Sequence, residues 1–262
     1  MEPFASNFYK TLVLLLLVTA LAATAATGTK NYLNNQPQPG LASEQAAYEL
    51  LDSARREMAR KQLRKSSDIC DILLKNTDLK PVWAEAVLLK ALIEVKQKKA
   101  AEAESLLGQL QARQDIDLKQ LELYGKWFEV QGALYELKKS YALATSAYEA
   151  AIEEYEKQLG NIANSDKLSR LYSLAGEIYR YNLKDVYKAE PLFLKAVQLQ
   201  EKQLAPDTSS IFLGYYNLAT TCRLQYDFDK ALSYGYRALE LVEGIENANP
   251  RWKLACYAEL AN

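Results

Sequence analysis

Small residues return on a schedule in this chain. In AEPLFLKAVQLQEKQLAPDTSSIFLGYYNLA (residues 189–219), Ala189, Phe193 and Ala196 are followed 42 positions later by Ala231, Gly235 and Ala238 of ALSYGYRALEL. Small residues 12 and 19 positions beyond Ala219 let two antiparallel helices approach closely, where bulk would push them apart. The same frame fits Ala175 with Ala189, Phe193 and Ala196, allowing two extra residues in the turn RYNLKDVYK. It also fits Gly132 with Ala144, Tyr148 and Ala151, Ala91 with Ala103, Leu107 and Leu110, and Ala54 with Ser66, Cys70 and Leu73. The second-helix anchors Ser66, Ala103, Ala144, Ala189 and Ala231 stand 37, 41, 45 and 42 residues apart, and Leu260-Ala261 repeats Leu218-Ala219 once more.

From Ala46 onward, apolar residues recur at three- and four-residue spacing in segments of roughly 12–18, divided by short polar turns, as amphipathic helix pairs require. With seven Pro and ten Gly in 262 residues, and good helix formers dominating, the sequence predicts an all-α protein.

Composition also removes functions. A formal net charge of −1 lacks the general basic field that nucleic-acid binding needs, and RKQLRK (60–65) and KQKK (96–99) read as solvated helix faces beside acidic runs. The absence of histidine excludes Ser-His-Asp and Cys-His catalysis and histidine-based zinc sites. Cys70, Cys222 and Cys256 are far apart and form no C-x-x-C pair; Cys70 and Cys222 read as small core hydrophobes. Glu153-Glu154 falls on an exposed helix face with nothing to desolvate it. The expectation is a protein that is not an enzyme, with no cofactor, no metal and no nucleic-acid partner.

TLVLLLLVTALAATAATGT (11–29) carries no charge between Lys10 and Lys30, and its leucine-rich start gives way to alanine and threonine. Two readings stay open for 1–27. Ala20-Leu21-Ala22 and Ala23-Thr24-Ala25 offer the small-x-small pattern of a cleaved secretory signal, whereas 19 uncharged residues at about 1.5 Å each nearly span the hydrocarbon core as a membrane anchor. Either places the protein in a secreted, periplasmic or membrane-anchored setting. Residues 28–43, rich in Asn, Gln, Pro and Gly, read as a flexible linker, and Ser43 as an N-cap opening the helical region 44–262.

This spacing resembles the tetratricopeptide repeat, and the long units with AEPLFLKAVQLQEKQLAPDTSS…YYNLA look most like its kinesin-light-chain variety. The likeness is strong over 130–262 and weak before 80. Gly235 departs from it, standing where the family has a large residue, and KQKKA replaces a Gly-Asp-Tyr turn. The resemblance implies a right-handed α-solenoid of about five antiparallel helix pairs plus the first helix of a sixth, with first helices lining a concave groove.

Carried over position by position, the groove candidates are Lys126, Glu129 and Glu136, then Tyr172, Tyr179 and Arg180, then Tyr216, Asn217, Thr220 and Arg223. Asn217 matches the family asparagine whose amide bonds a peptide backbone. Tyrosines at helical spacing serve equally as packing between repeats. The arginines favour a guest with a carboxylate and an apolar anchor. The resemblance implies a non-catalytic scaffold binding a peptide or protein partner. Its alternative is the sensory region of a larger enzyme, a histidine kinase or caspase-like CHAT protein, whose catalytic part lies beyond Asn262. Pro250 opens a helix whose Trp252, Leu254, Tyr257 and Leu260 await a cover, so the sequence predicts that the native chain continues or that this end self-associates.

Overall fold

The computed structural model describes residues 44–157, 163–203, 205–246 and 248–261; the 11–29 run and the 28–43 linker lie outside them. Eleven helices and no strand occur among the described residues. They are α1 (Glu44–Ala59), α2 (Leu63–Leu73), α3 (Lys80–Lys96), α4 (Ala100–Ala112), α5 (Tyr124–Leu137), α6 (Tyr141–Lys157), α7 (Ala163–Glu177), α8 (Val186–Glu201), α9 (Thr208–Leu224), α10 (Phe228–Gly244) and α11 (Pro250–Leu260). Among these none is long and apolar enough to cross a membrane. Each odd-numbered helix packs against the next, giving five hairpins from α1/α2 to α9/α10, and α11 lies on the last.

The anchors predicted from small-residue spacing are where helices touch. Ala54, Ala91, Ala175 and Ala219 of the first helices, and Ser66, Ala103, Ala144 and Ala189 of the second, are fully buried. In the first hairpin the contact is polar, with the Ser66 hydroxyl donating to the Ala54 carbonyl at 2.7 Å. In the third and fourth it is a ring against a bare backbone: a Cβ on Gly132 would stand 2.6 Å from the Tyr148 ring, and one on Gly176 2.9 Å from Phe193. Gly235, the departure from the family pattern, has the complementary explanation. A Cβ there would meet Leu260 at 2.8 Å, so the volume of the missing side chain is filled from α11. Trp252 of the same helix packs on Phe212 at 4.9 Å between centroids, while Leu254 and Tyr257 stay exposed.

Every turn inside a hairpin is built alike. Lys61, Lys98, Lys139, Lys184 and Tyr226 have φ of 61°, 64°, 60°, 60° and 65°, and each stands five residues before its second-helix anchor. The following amide reaches back to the helix it has left: Gln62 to the Glu57 carbonyl, Lys99 to Glu94, Ser140 to Tyr135 and Asp227 to Cys222, at 2.8–2.9 Å. This left-handed C-cap is normally glycine's, because a Cβ there is crowded by the following carbonyl. The fourth turn absorbs its two extra residues upstream of the cap. There α7 runs on into a π-turn (Ile178–Asn182), and the Asp185 amide bonds one residue further back, to Tyr179, at 2.8 Å.

The three cysteines are buried and free. Burial pushes the thiols of Cys70 and Cys222 up to about 12 and also raises that of Cys256, so none is a thiolate at neutral pH.

Two sets of substitutions test this construction by urea unfolding. Gly132→Ala is expected to destabilise by about 1–3 kcal/mol through overpacking, while Gly108→Ala, with nothing within 4 Å of the new methyl, gains about 0.5–1 kcal/mol of helix propensity. Equal midpoints for the two would contradict the close contact. Lys98→Gly is expected to stabilise by about 0.5–1 kcal/mol by relieving the left-handed cap.

Candidate functional site

The first helices are joined to one another by polar contacts across the repeats. Glu85 of α3 takes Arg55 of α1 on one side and Lys126 of α5 on the other, the latter at 2.6 Å. Glu129 of α5 is buried and pairs with Arg170 of α7, and it also accepts the Tyr155 hydroxyl at 3.3 Å. Arg180, in the π-turn, reaches α9, and Arg223 of α9 meets Glu259 of α11 at 2.6 Å. Apart from the Tyr155 hydroxyl, partners in these contacts lie about one repeat apart in sequence, 30 to 41 positions, so the rungs climb the stack with its period.

Most of the groove candidates read from the sequence are occupied by these or other internal contacts. Tyr172 is buried, its hydroxyl bonded to Glu156 of α6 and reached by Lys195 of α8 at 3.2 Å. Tyr179 is buried and donates to Glu149 of α6 at 2.7 Å. Both tyrosines therefore take the packing role, because their rings turn toward the second helices. Tyr216 stacks on Phe212, and the Thr220 hydroxyl donates to the Tyr216 carbonyl one turn back. Arg223 is held by Glu259, Lys126 by Glu85, and Glu136 accepts the Tyr148 hydroxyl at 3.0 Å.

Arg180 is 3% exposed and forms no ion pair among the described residues. Its guanidinium donates to the Asn217 carbonyl at 3.0 Å, to Asn217 Oδ1 at 2.7 Å and to the Tyr181 hydroxyl at 2.6 Å, and lies over the Tyr181 and Phe193 rings. Its Nε–H is buried without an acceptor. Burial lowers its affinity for the proton, with Tyr181 and Glu177 acting the other way. The π-turn explains the reach: widening the end of α7 swings residue 180 toward the next first helix.

One candidate, Asn217, lines a cleft of about 410 Å³ between α7 and α9. Asp166, Ser169, Arg170, Ser173 and Glu177 form its α7 wall; Ser210, Leu213, Gly214 and Asn217 form its α9 wall; Gln200 and Gln203 close its floor. Gln200 Oε1 is buried and unbonded. Desolvation inside the cleft raises the Glu177 carboxyl, with Arg180 opposing. Sequence reasoning missed these walls because the cleft is made by what is small. The available signal was Ser169/Ser210 and Ser173/Gly214, two pairs each 41 residues apart.

With this geometry in place, likeness to known proteins can be read. Residues 167–244 match the tetratricopeptide repeat family. They are tetratricopeptide repeats. No curated protein matches the chain in sequence. Among solved structures, residues 41 to the end of MamA from Desulfovibrio magneticus RS-1 superpose with a TM-score of 0.53 at 16% identity, covering 77% of this chain and 97% of that one. BtubC (BKLC) from P. vanneervenii gives 0.57 at 16% identity, covering 79% and 92%. At that identity the likeness concerns the fold, and it extends the repeat solenoid well beyond 167–244. The matched repeats contain both walls of the cleft apart from Asp166, and they also contain Arg180.

Lys126 supplies a test of the ladder. Burial, with Arg55 beside it on a shared carboxylate, pushes its ammonium down to about 8. A lysine whose folded pKa lies below its ordinary 10.5 weighs against folding while charged; that penalty is full below about pH 8 and fades as pH rises toward 10.5. Lys126→Met is expected to raise stability at neutral pH by on the order of 1 kcal/mol, discounted for partial solvation. The difference from the unaltered protein should shrink at pH near 10.5, read by urea unfolding at both pH values.

Proposed function

We propose that the chain is a non-catalytic interaction scaffold that holds an extended segment of a partner protein between α7 and α9, and that the segment presents a basic side chain. Tetratricopeptide repeats support the scaffold reading, since stacking leaves a continuous groove and brings no reactive constellation with it.

The observation that carries the guest's chemistry is the balance of free polar groups in the cleft. Arg170 is turned to Glu129, and Arg180 and Arg223 are spent on Asn217 and Glu259, so the arginines that favoured an acidic guest are not on offer. What faces the cleft is acceptor-rich: Asp166 and Glu177, which form no ion pair among the described residues, and the unbonded Gln200 Oε1. A lysine or arginine entering there would meet two carboxylates, of which Glu177 is already raised by desolvation, and would favour the charged form of Glu177. Asn217 supplies the complementary donor. With Oδ1 held by Arg180, its amide NH2 is the face left to a guest's main-chain carbonyl.

Selection from a random peptide library on the full chain should enrich lysine and arginine. The pair Asp166→Asn with Glu177→Gln is expected to weaken the selected peptides about tenfold, the equivalent of ~1.4 kcal/mol. Arg180→Met should weaken capture while leaving the melting temperature nearly unchanged, because losing its hydrogen bonds is offset by no longer burying a cation that has no ion pair among the described residues. Enrichment of acidic peptides, or capture indifferent to both sets of changes, would overturn the assignment.

A further inference from the structure

The turn caps point to a second surface, separate from the cleft. The five turns within hairpins lie side by side along one edge of the stack. Lys138 pairs with Glu104 at 2.6 Å, Gln225 donates to the Val186 carbonyl at 2.9 Å and Lys230 pairs with Glu190 at 3.3 Å, tying neighbouring hairpins together along that edge. On four successive turns the left-handed position is lysine: Lys61, Lys98, Lys139 and Lys184. All four are exposed and none forms an ion pair among the described residues.

The acids nearby are mostly committed elsewhere. Glu57 pairs with Arg60, Glu94 with Lys90 and Lys99, and Asp185 and Asp227 cap α8 and α10, while Asp229 is open. Glycine would serve the backbone better at each position, so stability is given up four times at one structural address for the same charged side chain.

The last two turns add apolar tips to this edge. Tyr187 is 73% exposed, Tyr226 80% and Phe228 52%, and Leu183 and Leu224 stand beside them, also exposed. Long cationic stems next to tyrosine, phenylalanine and leucine form the combination that settles at the boundary between headgroups and acyl chains. Exposed leucines distinguish it from a nucleobase platform, which uses rings and guanidinium planes. The sequence also holds the uncharged 11–29 run, a segment with its own affinity for hydrocarbon.

We propose that the hairpin-turn edge docks on an anionic lipid surface, with the four lysines over the headgroups and the aromatic turn tips at the interface. With a net charge of −1 the chain has no general basic field, so the attraction would rest on the local cluster of lysines.

The test is co-sedimentation of the full chain with vesicles of phosphatidylcholine alone and with added phosphatidylserine, read as the ratio of the two affinities so that any contribution of 11–29 cancels. The ratio is expected to be at least about tenfold at low salt. Lys61→Gly, Lys98→Gly, Lys139→Gly and Lys184→Gly together should bring it to about one without loss of helicity, since each change suits the cap, whereas arginine at the same four positions should keep it. Tyr226→Ser with Phe228→Ser should make the remaining binding more sensitive to salt. A ratio unchanged by the glycine set would overturn the proposal. So would lysine-dependent retention on single-stranded RNA with no preference between the vesicles.

Discussion

Everything in this protein depends on how closely a first helix can lie against its second. Gly132 against Tyr148 and Gly176 against Phe193 put a flat ring directly on backbone, and alanines or a hydroxyl serve elsewhere. Protein interiors are packed too densely to yield by a methyl group, so the distance between helices is set at these points and carried outward. A wider hairpin would separate Arg180 from Asn217, or Glu129 from Arg170. The polar rungs are consequences of that spacing rather than its cause, since exposed and half-buried ion pairs contribute little on their own.

Those rungs nevertheless decide what the concave side can offer. Arginine, lysine and tyrosine are the residues a binding surface would use, and here many of them are consumed in holding one repeat to the next. What remains free is smaller and less conspicuous: serines, an amide with one end tied, and two carboxylates without an ion pair among the described residues. Arg180 is the clearest case. A side chain that looks like a ligand contact has become the support for a neighbour's amide.

The architecture was legible in the sequence because helix contacts impose a period, and alanine, glycine and serine at that period have no other common cause. Anchors from Ser66 to Ala231 fell at buried helix contacts, and the two extra residues after Ala175 pointed to the place where a π-turn forms. Site residues were less legible for a physical reason. Position in a repeat says which face of a helix a residue occupies, but not which way a long side chain turns; Tyr172 and Tyr179 turned toward second helices, and Arg223 toward Glu259. Gly235 read as a departure because its occupant, Leu260, comes from the following helix, 25 residues further along the chain.

The fourth hairpin accommodates its longer first helix before the cap, never after it, so the interval from cap to anchor is five residues in every hairpin although the units differ in length by as many as eight. Within a hairpin the extra length falls at the end of the first helix, where two added residues aim Arg180 across the stack, and the rest of the variation lies in the connections between one hairpin and the next. The outer margin keeps its metre. A lineage of such chains could insert or delete residues to retune what lies inside the groove while leaving the margin's lattice of side chains undisturbed, so the two faces are free to change at different rates.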